Sequence, residues 1–319
     1  MDIDKSHNIV NHTTYGEPYA GDSSFVAECR LLQSVYRVEI GQDIAPYVGR
    51  DGEHHYGNYI SGGEVSGANF LEEYIFDYAK QRAEHPKKYE TIRKDRLYNN
   101  LLSSQPMAFN LFCPLRRMLS EMPECATKAI SAALPLYPIA RVTEVELEFI
   151  PDNHIELTGD RSAMDAIIRF KNHEGKDGFI AIETKYSENL GTNVARDNTR
   201  TIAAIKELGC FKPDIEDKIE RNKVRLTQIY RNFLLSETYG RYIDAESHSL
   251  ILSPKRHPST QREWLSLRNE LTSEYQNKIR THSLEEFVDA LIANSPNEYR
   301  TTLERFKDRY LNFNKIKRL

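Results

Sequence analysis

Glu183 and Lys185 close an otherwise apolar run, residues 179–182. The run has strand length, mixes aromatic and β-branched residues, and follows the turn-forming Gly175 and Gly178. A run apolar on both faces suits a central strand covered by helices on both sides. Side chains two apart leave a strand on the same face. A carboxylate and an ammonium therefore emerge together where the pattern demands burial. Buried charges are costly unless paired or bound to a metal, so this conflict between pattern and charge marks a site. A second acid, Asp165, lies early in the preceding run AMDAIIRF, residues 163–170. If the two runs pair about a turn near residues 172–175, Asp165 and Glu183 become cross-strand neighbours. Carboxylates so placed repel unless a cation lies between them, and hard oxygen donors suit Mg²⁺ or Mn²⁺.

The elements that must position this set follow from periodicity. Phe25, Cys29, Leu32 and Tyr36 recur at helical spacing, which predicts an amphipathic helix over 24–39 with Arg30, Gln33 and Arg37 on a solvated face. Residues 1–23 read as an extended arm, and the Gly- and Tyr-rich 41–68 as a long loop or short hairpin region. His54 and His55 would diverge on a strand and make a poor metal pair. Asn69 and Glu72 mark a helix start, with that helix running to Arg82 and another over 87–100. Residues 101–115 set Ser103, Ser104, Gln105 and Asn110 among large apolar side chains. Such polar groups must be bonded if buried; they either fix a loop against the core or face a ligand. A helix follows over 111–133.

From Val142 the period becomes two: Val145, Leu147 and Phe149 alternate with Glu144, Glu146 and Glu148. After a turn at 152–153 the pattern returns over 154–157, and strands follow over 163–170 and 179–186. Next come a polar linker (187–198), a short helix (199–208) and a helix from Pro213 to Ser236. A strand (248–252), a helix (262–278), a short strand (279–281) and a helix behind the Ser283/Glu286 capping box complete the order. The tail, 300–319, is helical at first and ends basic. Three consecutive strands predict an antiparallel meander, and the helix after Pro213 is long enough to cross over to 248–252. The class is α/β, a mixed central sheet flanked by helices, with residues 1–100 a mainly helical N-terminal extension packed on the domain 101–319.

The 28 % charged and 39 % hydrophobic composition fits a soluble globular chain. No apolar run approaches membrane-span length, and the start MDIDKSHNIV lacks a signal pattern. Four cysteines without a CxxC pair read as reduced thiols of a cytoplasmic protein. A net charge of −4 argues against holding nucleic acid by bulk charge but leaves room for a local basic groove. Arg116-Arg117, Arg221/Lys223/Arg225, Lys255-Arg256-His257 and the tail are candidate phosphate contacts. With no G-x-S-x-G and no cysteine with an evident histidine partner, a serine or cysteine hydrolase is disfavoured.

The pattern Asp165…Glu183-x-Lys185 on a hairpin resembles the PD-(D/E)XK nuclease superfamily, the restriction-endonuclease-like fold, with Met164 where the motif has Pro. The order helix, strand, strand, strand, helix, strand matches its core. The likeness is closest to a branch of restriction-endonuclease-like proteins with an LSSQP-x-x-FNLF stretch, here residues 102–112, and an E-x-K-Y strand, here 183–186. It extends back through residues 25–37.

The resemblance implies that Asp165 and Glu183, with the carbonyl of Thr184, hold Mg²⁺ or Mn²⁺, and that Lys185 orients water or stabilises phosphorane charge. Glu148 and Gln228 are auxiliary candidates, and Tyr230 and Arg231 neighbour the latter. The implied activity is DNA cleavage, in restriction or phage defence, with nucleic acid, a second copy of the chain and defence proteins as partners. Cleavage of RNA or structured DNA, or a catalytically silent binding module, are the alternatives. A second E-x-K, Glu216-Asp217-Lys218, has no strand around it and reads as a solvated helix face.

Overall fold

The computed structural model describes residues 11–86, 92–191, 199–317 and 319. Among the described residues there are seven strands: β1 (Tyr47–Val48), β2 (Glu53–His54), β3 (Arg141–Phe149), β4 (Met164–Lys171), β5 (Asp177–Thr184), β6 (Glu246–Ser253) and β7 (Ile279–Ser283). β1 and β2 form a small antiparallel hairpin, while the other five make one sheet in the order β3-β4-β5-β6-β7. β3, β4 and β5 pair antiparallel, as the meander predicts. β6 and β7 join in parallel, which requires the helical crossovers that precede each of them. The result is an α/β, restriction-endonuclease-like architecture with a mixed central sheet flanked by helices.

β5 is the middle strand and is buried along its length except at Asp177. Ile180 and Ile182 pack with Leu111 and Leu115 of the helix Ser104–Glu121 and with Leu284 and Phe287 of Leu284–Asn294 in the largest apolar cluster. Phe179 and Ala181 face the other way and pack with Leu235 of the helix Gln228–Tyr242. The turn before β5 is built by Asn172, whose side chain accepts from the backbone of Glu174 and Lys176 (both 2.9 Å), and by Gly175 at φ +79°. Gly178 lies opposite Phe170, and a Cβ there would stand 2.6 Å from the phenyl ring. The ring lies across the strand, so any side chain at this position would have to displace it.

Several elements differ from the periodicity reading. Residues 154–157 form a helix, His154–Leu157, not a strand; the Pro151 carbonyl captures both the His154 amide and its ring nitrogen, curling the chain. The helix expected at 111 begins at Ser104, and Pro123 starts a second helix, Pro123–Ala133. The helix expected from Pro213 is two, Ile215–Glu220 and Gln228–Tyr242, interrupted where Asn222 takes φ +54°. Asn69 is no cap: it is buried, and the helix Glu73–Glu84 starts later. The helix expected over 262–278 ends at Glu270. Gln33 and Arg37 are buried rather than solvated, because other parts of the chain fold over that helix face. Parts of four expected segments (1–10 of the arm, 87–91 of the helix over 87–100, 192–198 of the linker, 318 of the tail) lie outside the described residues.

Candidate active site

The strand register sets three acids in a row. Glu148 falls between the pairs Leu147↔Ala166 and Phe149↔Met164, so it stands opposite Asp165. Asp165 in turn falls one step beyond Ala166↔Ile182, opposite Glu183. Three neighbouring strands thus contribute one carboxylate each to the same level of the sheet. Glu148 occupies φ +49°, a backbone conformation that non-glycine residues rarely adopt. Gln105, in the first turn of its helix, donates to the Glu148 carboxylate at 2.9 Å.

Each partner of the row is fixed. Asp165 Oδ2 accepts from the Thr184 amide (2.7 Å) and hydroxyl (2.8 Å). Glu183 pairs with Lys185 Nζ at 2.5 Å and accepts from the Asn232 side chain at 2.6 Å. Lys185 Nζ also donates to Gln228 Oε1 at 3.2 Å. Thr227 ends the preceding loop, so Gln228 opens the helix Gln228–Tyr242 and presents its amide beside the sheet. Asp165, Glu183, Thr184, Lys185, Glu148 and Gln228 are therefore brought together.

Glu188 joins them from just past the strand. Its carboxylate accepts from the Ser104 amide at 2.8 Å and from the Tyr186 and Ser187 amides at 3.2 Å. Sequence reasoning missed it, because it sits in a polar stretch that reads as linker. The separately noted Ser103/Ser104 pair was the available signal: an amide at a helix start favours a carboxylate. Asn232 was missed too, although it lies one helical turn beyond Gln228 and shares its face.

Electrostatics follow from burial of several like charges. Burial and repulsion from Asp165 push the Glu148 carboxyl up to about 8. Burial, then Asp165, push Glu183 up to about 7 against the relief that Lys185 gives. Burial raises Asp165 as well, opposed by Lys185 and Thr184. Burial opposes the charge on Lys185, but Glu183, Asp165 and Glu188 outweigh it, and the ammonium is held above its ordinary value. Glu188 ends below the usual carboxylate range: Lys185 and the Ser104 amide overcome its burial.

These groups line a cleft of about 450 Å³ whose walls also carry Arg93, Arg96, Arg161 and Arg231. Arg231 is bonded to Asp160, to Ser162 and to the Leu226 carbonyl. Tyr230 turns away and meets Ser266 at 3.1 Å. Lys218 of the second E-x-K pairs with Asp214 and Glu270, and Asp217 with Arg221. His54 stands by Asp51 and Glu17 on the small hairpin. Among the basic clusters, Arg117, Arg221, Lys255 and Arg256 are engaged by neighbouring acids, and Arg116 lies over the Tyr78 ring.

A family model described as the PD-(D/E)XK nuclease superfamily matches residues 20–312. The chain belongs to that superfamily. No curated protein and no solved structure matches the sequence. As a PD-(D/E)XK chain it is a member of a nuclease superfamily whose enzymes typically use divalent metals. Among the described residues no group of three or more His, Cys, Asp or Glu side chains is gathered as a metal cage: Asp165 is turned to Thr184, and Glu183 to Lys185 and Asn232. The donor chemistry nevertheless fits a hard cation. Asp165, Glu183 and Glu148 offer oxygens only, and two of them are held at about 7 and 8 by mutual burial and repulsion that a cation would relieve. Among the described residues no helix is long and apolar enough to cross a membrane.

Proposed function

We propose that this chain is a Mg²⁺- or Mn²⁺-dependent endonuclease that hydrolyses DNA phosphodiester bonds, acting in restriction or phage defence. The supporting observation is the cross-strand row Glu148, Asp165, Glu183 with Lys185 beside it. In this reading Asp165, Glu183 and the Thr184 carbonyl would hold the cation, with Glu148 as a further donor. The chemistry a bound divalent ion supplies is a lowered pKa for water and compensation of charge on the scissile phosphate. Lys185, kept protonated by its acid neighbours, donates from Nζ to the incoming water or to the phosphate oxygens as charge builds on them. Gln228 and Glu183 set the direction of that ammonium. Gln105 holds Glu148 facing the row. Residues 1–100 act as a helical extension of a nuclease domain spanning 101–319, and cutting both strands of a duplex would employ two copies.

The deciding experiment incubates purified protein with plasmid, linear duplex, single-stranded DNA and RNA, each with Mg²⁺ or Mn²⁺. Metal-dependent cleavage of DNA is expected, lowered at least about 100-fold by Lys185→Ala or Asp165→Ala. Cleavage at the native rate by either variant overturns the reading. Preferential cleavage of RNA would move the substrate but keep the chemistry. Absence of divalent-ion binding by calorimetry would favour a silent nuclease-like binding module.

A further inference from the structure

A second cleft, of about 670 Å³, opens beside the acid row and shares Arg93, Arg96, Ser103 and Glu188 with it, so the two form one continuous groove. It is lined in part by β1 and by residues 58–62. There Tyr47 stacks on Tyr59 with ring centroids 4.8 Å apart and an interplanar angle of 26°. Tyr47 keeps 39 % of its surface exposed and Val48 keeps 76 %. Both side chains line the cleft and leave apolar surface in solvent beside it.

The cations of this groove divide into two kinds. Arg30 is committed: Asp22 takes it through two nitrogens (2.6 and 2.9 Å), Asn58 through a third (2.5 Å), and its guanidinium lies over Tyr19 and Tyr56. It builds the wall. Arg93 is exposed, and among the described residues its ion pair is with Asp95 at the surface. Arg96 is exposed and makes no side-chain ion pair or hydrogen bond among the described residues. Tyr47 also meets Tyr56, ring centroids 5.9 Å apart, and keeps part of its ring in solvent; a partly exposed aromatic stack beside the Arg96 guanidinium and continuous with the candidate active site offers the chemistry that receives a base and its phosphate.

We propose that this groove binds an unpaired stretch of DNA, a base stacking on Tyr47 and its phosphate meeting Arg96, so that the enzyme acts on single strands or on duplexes with an unpaired end. This rests on the nuclease reading above and specifies its substrate. The test measures binding of labelled oligonucleotides by fluorescence anisotropy, on full-length protein carrying Asp165→Asn so that the probe is not consumed. The probes are a single strand, the same strand annealed as a blunt duplex, and a duplex with a single-stranded overhang. Single strand and overhang should bind about tenfold tighter than blunt duplex. Tyr47→Ala should weaken the single strand about tenfold, and Tyr47→Phe, which keeps the ring, by less than about twofold.

Arg96→Ala, at an exposed position outside the core, should weaken the same probe and flatten its salt dependence. Blunt duplex binding as tightly as single strand, or single-strand affinity indifferent to both Tyr47→Ala and Arg96→Ala, overturns the proposal. Failure of the native protein to cut any nucleic acid would instead remove the nuclease reading, and a Tyr47-dependent strand affinity would still support the groove.

Discussion

Lys185 sits at the centre of the charge arrangement, and the groups around it divide the work. Glu183 pairs with it, Gln228 steers it, and Glu188 supports its charge from the other side of the chain. Glu148 stands apart: its one described side-chain donor is Gln105, and that bond pulls its acid strength back toward normal. Removing the donor with Gln105→Ala should therefore push Glu148 further above about 8, because the anion loses a hydrogen bond. A bond to a charged group contributes about 1.5 kcal/mol, roughly one pH unit. The acidic limb of the pH–rate profile should move to higher pH by about that much. An unmoved limb would show that Glu148 plays no part in the rate. Glu188→Gln tests the residue that pattern reading missed. It keeps the shape but loses the charge that accepts from three backbone amides and faces Lys185. A loss of about 2 kcal/mol in urea unfolding is expected.

At the level of elements, β4 and β5 were legible because β5 is buried on both faces, β4 on one, and the two are separated by a turn with its own signature, Asn172 and Gly175. Fixing that turn fixed the register, and the register alone put Asp165 opposite Glu183. The same turn chemistry makes Gly178→Ala a test of the hairpin. The new methyl would press on the Phe170 ring at 2.6 Å, a side-chain clash in a filled core. It should cost about 1–3 kcal/mol in denaturant unfolding, with much of the loss recovered when Phe170→Leu is added. What stayed illegible has local causes too. Four residues, HIEL, are too few for period two to be told from one helical turn. Pro106 and Pro114 hid the helix Ser104–Glu121, yet Pro106 falls in the first turn, where the missing N–H costs nothing. Gln33 and Arg37 look solvated in any local window, since what covers them arrives from distant sequence: the Arg309 backbone, and the Gly57 carbonyl.

Across the whole molecule, burial of charge ties stability to pH and to cations. Arg309 shows the structural side: it is 1 % exposed, bonds Gln33 and Asn69, and lies over Tyr36 and Tyr310, joining the first long helix to the last. Arg309→Met should cost about 3 kcal/mol, read by urea unfolding, because Gln33 and Asn69 lose their buried donor. The acid row shows the functional side. Glu183 and Glu148 are raised to about 7 and about 8, above the 4.5 they have when unfolded. An acid raised in the folded state stabilises fully below its unfolded pKa, and that contribution is lost as pH rises through the folded value. Metal-free protein should therefore lose stability from about pH 5 to about pH 8, by roughly 3 kcal/mol for Glu183 alone. Glu237, also buried and raised to about 7, adds a loss of the same sign away from the row, so the slope by itself does not locate the cause. Divalent cation separates them. Protons compete with it for the row, so Mn²⁺ should raise the melting temperature little at pH 5.5 and most at pH 8.5. Glu183→Gln should abolish the Mn²⁺ increment, and Glu237→Gln should reduce the metal-free slope while leaving that increment in place. Equal Mn²⁺ increments at both pH values, or an increment that survives Glu183→Gln, would place the cation elsewhere.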